Sequence, residues 1–85
     1  MEKDYALCFK ALSDETRLQI VLMLKGGSMC ACKILQKFNI TQPTLSYHMK
    51  ILVDSGLVTI QKVGIWNHYT VKSEVLDSLA DMLKS

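Results

Sequence analysis

The chain has 85 residues, 49% of them apolar, and ten Lys or Arg stand against eight Asp or Glu for a net charge of +2. That length holds a single domain, residues 1–85, around one small core, and the near balance of charge does not by itself call for nucleic acid. No apolar run approaches the roughly 20 residues needed to cross a bilayer, and the acidic start "MEKDYALCFK" lacks a signal-peptide pattern. A cytoplasmic protein with no membrane partner is expected. The three cysteines, an odd number, argue against a disulfide framework and are expected there as thiols. The apolar content is generous for the size, which points to a homodimer that buries part of it between copies.

The charges are unevenly placed. From Thr16 to Val53 there is no acid, while Arg17, Lys25, Lys33, Lys37 and Lys50 all fall in that stretch. An acid-free middle between acidic ends suggests a face that meets an anion.

In chain order, Tyr5, Phe9 and Leu12 keep helical spacing and predict a first helix from about Asp4 to Leu12. "SDET" reads as the next helix start, with Ser13 as a cap and Asp14 and Glu15 at the positive end of the dipole. Leu18, Val21 and Leu22 carry that helix to the stop at Gly26-Gly27. Ser28 is then expected to cap a third helix, Met29 to Phe38, with Ile34, Leu35 and Phe38 inward. "TQPTLSYHMKILVDSG" is the best-defined element: Thr41 caps it, Pro43 sits in its first turn, Leu45, Met49 and Leu52 form the buried stripe, and Gly56 ends it. The period then changes from 3.6 to 2, and "LVTIQKV" and "IWNHYTV" form a hairpin about Gly64. A last helix runs from about Ser73 to Leu83, with Val75, Leu76, Leu79, Met82 and Leu83 on its apolar side. The order α-α-α-α-β-β-α, mainly α with a β-hairpin, is that of a dimeric winged helix-turn-helix.

In that arrangement the second helix of the pair reads a major groove. Opposite its buried stripe lie Pro43, Ser46, Tyr47 and Lys50, with Gln42 and Thr44 at the leading end. Gln pairs bidentately with adenine and hydroxyls reach bases or phosphates, whereas Lys33 and Lys50 suit phosphates. His48 lies on the flank, where it either touches a phosphate or covers the edge of the core. Lys62 is the one basic residue near the hairpin tip, so the wing is expected to add modestly to affinity, with Trp66 and Tyr69 packing rather than stacking on bases.

"SMCACKIL" places Cys30 and Cys32 just before this reading helix. Thiolates suit soft ions, but positions i and i+2 on a regular helix point about 200° apart, so joint binding of one ion needs a distorted helix start. Three readings stay open: an ion claw, a thiol-redox or persulfide switch, and small core residues. A direct disulfide closes a very small ring. A thiol enzyme has little support, for no general base stands near the pair.

Taken together, "FKALSDETRLQIVLML", "CACKIL", "NITQPTLSYHMKILVDSGLV" and "VGIWNHYTV" resemble the ArsR/SmtB family of metalloregulatory repressors over about Phe9 to Val71. The resemblance implies a repressor of double-stranded operator DNA, dimeric through its first and last helices and released by an inducer. It also implies that Cys30 and Cys32 hold a thiophilic ion, As(III) or Sb(III) first, Cd(II) or Pb(II) as well. Arsenite sensors of that family carry a third cysteine where this chain has Leu35, and Cd(II) and Pb(II) sensors draw cysteines from an N-terminal extension. Here only Cys8 is available as a third ligand, although packing in the core is its favoured role. A zinc or nickel site in the last helix needs histidines that this helix lacks. The alternative is a metal-independent or thiol-responsive winged-helix repressor.

Overall fold

A computed structural model describes residues 4–85. The helices are α1 (Tyr5–Leu12), α2 (Glu15–Leu24), α3 (Ala31–Leu35), α4 (Gln42–Asp54) and α5 (Ser73–Lys84), and the strands are β1 (Met29–Cys30), β2 (Val58–Val63) and β3 (Trp66–Val71). The strands form one antiparallel sheet in the order β1-β3-β2. This is the expected winged helix-turn-helix with one added strand.

Side-chain caps set most of the helix starts. Asp4 accepts from the Leu7 N–H at 3.1 Å to open α1, and Thr41 accepts from the Thr44 N–H at 3.3 Å to open α4, where Pro43 sits in the first turn. At α2 the cap is Asp14, which accepts from the Arg17 N–H at 3.0 Å. Ser13, expected in that role, instead closes α1 by donating its hydroxyl to the Lys10 carbonyl at 2.7 Å. Gly56 and Gly64 take φ of 87° and 65° at the end of α4 and at the hairpin turn, where a side chain would be strained.

The third helix differs most from expectation. Met29 and Cys30 are extended and pair with Tyr69 and His68 of β3, and α3 begins only at Ala31. Ser28 does not cap it. Its hydroxyl is hydrogen-bonded to that of Thr70 at 2.6 Å, which ties the Gly26-Gly27 turn to β3. Open backbone groups on β3 satisfy Met29 and Cys30 better than an uncapped first helical turn can.

The core gathers Ile20, Val21 and Leu24 of α2, Ile34 of α3, Leu45, Met49 and Leu52 of α4, Leu57, Val58, Tyr69 and Val71 of the wing, and Val75 and Leu79 of α5. Leu35, Phe38 and Leu76 pack partly buried against it. Leu18 and Leu22 of α2 are exposed, since Ile20, Val21 and Leu24 take the buried side. Tyr5, Leu7 and Phe9 of α1 and Met82 and Leu83 of α5 also stay exposed in the single chain.

Candidate nucleic-acid interface and cysteine pair

The α4 helix buries Leu45, Met49 and Leu52 and turns Gln42, Pro43, Thr44, Ser46, Tyr47 and Lys50 to solvent, an apolar stripe opposite a polar one. Two exposed residues already have partners. The Thr44 hydroxyl oxygen accepts from Thr41 at 3.0 Å, and Lys50 Nζ donates to Asp54 at 3.0 Å. An exposed i,i+4 pair is weak, so Lys50 is free to exchange Asp54 for a phosphate. Lys33 on α3 and Lys62 on β2 are exposed. The tip of the wing is apolar, with Val63, Ile65 and Trp66 all exposed.

His48 is turned inward, its side chain only 12% exposed. Its Nδ1 accepts from Arg17 Nη1 at 3.0 Å and lies 3.9 Å from Asp14 Oδ2, and its ring meets Tyr47 edge-on with centroids 5.5 Å apart. Of the two roles expected for His48, the observed contacts match the one at the edge of the core. The backbone N–H of Arg17 holds the Asp14 carboxyl below the usual aspartate range, with the Arg17 charge adding to it against an upward push from burial. Sequence reasoning missed Arg17 and Asp14 as partners of His48, because nothing local announces a contact between α2 and α4.

The sulfurs of Cys30 and Cys32 lie against each other, with Cα atoms 5.4 Å apart, placed to pair as a disulfide or to share an ion. The reason is backbone conformation. Cys30 is the last residue of β1 and the N-cap of α3, with ψ of 155°, so the 200° divergence of two helical side chains does not apply. Cys32 also lines a groove of about 270 Å³ between α3, the leading end of α4 and the wing, shared with Leu35, Gln42, Ser46, Trp66 and Tyr69. Burial pushes the Tyr69 phenol up, with the Asn67 amide beside it acting the other way. The Asn67 Oδ1 is buried with no hydrogen-bond partner among the described residues.

Cys8 is 1% exposed, and its thiol donates to the Ser55 carbonyl at 3.4 Å. Burial, helped by the Asp4 charge, pushes that thiol up and keeps it protonated. Among the described residues of one chain, no group of three or more His, Cys, Asp or Glu is placed to hold one ion. The donors brought together are the two sulfurs of Cys30 and Cys32, which suit a thiophilic ion once reduced and leave any third bond to another source.

Residues 14–59, from the cap of α2 through α4 to the start of the wing, match the model of the bacterial regulatory protein, arsR family. The chain belongs to that family. It is therefore a winged-helix transcriptional regulator with a DNA-binding helix-turn-helix, not an enzyme. It is 43% identical over 81 residues to the arsenical resistance operon repressor of Staphylococcus aureus, covering 95% of this chain and 78% of the relative. It is also 41% identical over 76 residues to the transcriptional repressor SdpR of Bacillus subtilis, covering 88% and 84%. Among solved structures, an ArsR-like transcriptional regulator from Rhodococcus superposes with a TM-score of 0.82 at 30% identity, covering 93% of this chain and 74% of that one. Among the described residues no helix is long and apolar enough to cross a membrane.

Proposed function

We propose that the chain is a homodimeric repressor that holds operator DNA with α4 and releases it when a thiophilic ion, of the arsenite or antimonite class, binds the reduced Cys30–Cys32 pair. The observation that carries this reading is the convergence of the two sulfurs at the β1–α3 junction, with Cys32 on the groove that Gln42 and Ser46 border. The names of the arsenical relatives support the same class of inducer.

The chain's own residues supply the coupling. Cys30 belongs to β1, paired with His68 of the wing, and also opens α3, which lines one groove with the leading end of α4. An ion held by both sulfurs favours one backbone shape at that junction. If that shape differs from the one that fits DNA, the ion lowers operator affinity by its own difference in affinity for the two. Gln42, Thr44, Ser46 and Tyr47 meet base edges, with Pro43 at their leading end, while Lys33, Lys50 and Lys62 meet phosphates. The exposed apolar residues of α1 and α5 form the dimer contact.

A titration tests the reading. Operator affinity is measured under reducing conditions with As(III), Sb(III), Cd(II), Pb(II) and Zn(II). Release is expected with the arsenic and antimony ions, is abolished in Cys30→Ser and is kept in Cys8→Ser. Unchanged DNA binding with every ion sinks the metal-responsive reading. A second reading, redox control, is favoured by the close approach of the two sulfurs. Peroxide converts two thiols to a disulfide and two waters, and release by peroxide with no ion present would establish it.

A further inference from the structure

Arg17 joins three elements through one side chain. Its Nε–H donates to the Ala11 carbonyl at 2.8 Å, in the last turn of α1, where helical carbonyls have no intrahelical partner. Its Nη1–H donates to His48 Nδ1 at 3.0 Å in the middle of α4, and Asp14 caps its backbone N–H from the start of α2. A guanidinium only donates, so Nδ1 is the acceptor in this bond, which places the ring N–H on Nε2. The ring is 12% exposed, so this bond forms largely away from water, where removal of a partner costs most. Buried Leu45 and Met49 fix the depth of α4, but apolar side chains tolerate small rotations. The Arg17–His48 bond is directional, and it sits one helical turn from Thr44 and Leu45.

We propose that Arg17 is a positioning residue for DNA reading: through His48 it fixes the rotation of α4 against the α1–α2 corner, so that Gln42, Ser46 and Tyr47 meet base edges in one register. This rests on α4 being the reading helix.

The test uses two duplexes of equal length, one enriched from a random pool by the wild-type chain and one unrelated. Arg17→Lys, which cannot span both acceptors, and His48→Gln, whose amide lies at the Nε2 position, are each expected to weaken binding to the enriched duplex roughly tenfold, the scale of one charged hydrogen bond. Affinity for the unrelated duplex and the salt dependence stay unchanged. His48→Asn, which restores an acceptor near the Nδ1 position, recovers most of the loss. The ¹⁵N shifts of His48 report the Nε2–H tautomer. Should Arg17→Lys not fold at the assay temperature, the Gln and Asn variants of His48 decide alone.

Equal losses on both duplexes with a shallower salt dependence would make Arg17 or His48 a phosphate contact and overturn the proposal. A lower unfolding midpoint with unchanged discrimination would reduce the bond to scaffolding, and an Nδ1–H tautomer would remove the bond altogether. A wild-type chain that enriches no duplex overturns the assignment of α4, and the proposal with it.

Discussion

Replacing Ile34 by alanine probes how the cysteine segment is held. The α3 helix has five residues, far too few to persist alone, and Ile34 is its one fully buried side chain, at 0% exposure. Ala31 and Leu35 are only half-buried beside it. Truncating a buried isoleucine costs about 2–5 kcal/mol, and a domain of this size holds roughly 5–10 kcal/mol in all. Loss of about 3 kcal/mol lowers the midpoint of thermal unfolding by roughly 10–25 °C. Urea unfolding followed by circular dichroism gives the energy. Alkylation of the reduced chain gives the local effect, since Cys30 and Cys32 are expected to react faster in the variant at temperatures where the rest stays folded. A loss below about 1 kcal/mol, or unchanged alkylation, would mean that pairing of β1 with β3 holds the segment without Ile34.

Other consequences are independent of that one. Thr41→Ala removes the cap of α4 and is expected to cost about 1 kcal/mol in urea unfolding. Gly64→Ala meets no atom within 4 Å but forces a left-handed residue, at about 1–2 kcal/mol, again read by unfolding. The Asp14 carboxyl is held below its unfolded range, so its contribution to stability is present above pH of about 4 and fades as pH falls through the lowered value. Asp14→Asn should therefore lie below wild type in stability at neutral pH, with the gap closing in acid. Lys62→Ala is expected to make the salt dependence of operator binding shallower, by about 0.9 in the log–log slope for each phosphate that the lysine neutralises.

Signals that are local in the chain located most of the fold. Thr41, Pro43, the Leu45–Met49–Leu52 stripe and Gly56 define α4 within a residue because cap, first turn, buried face and stop all lie inside one short segment. The wing was legible for a similar reason: alternation on both sides of Gly64 fixes two strands and their turn together. Where a residue's role depends on a distant partner, the reading failed. Leu18 and Leu22 fit a helical stripe, yet α2 is apolar on several sides and its packing chose Ile20, Val21 and Leu24. His48 could be placed only on a flank, since Arg17, which draws it inward, belongs to another helix.

The cysteines show the same limit at the site itself. From local pattern, "SMCACKIL" begins a helix, and a helix sets the two side chains about 200° apart. The pairing of Cys30 with His68 replaces that geometry, because β3 offers backbone partners to Met29 and Cys30 that an uncapped helical turn cannot match. Extended backbone at Cys30 and helical backbone at Ala31 then bring both sulfurs to one side. The strand that brings the two sulfurs together is the same one that ties them to the wing, and α3 ties them to the approach to α4. In the proposed function, chemistry at the sulfurs acts at a joint between the wing and the approach to α4, and loosening β1 from β3 is expected to weaken the proposed response to ions.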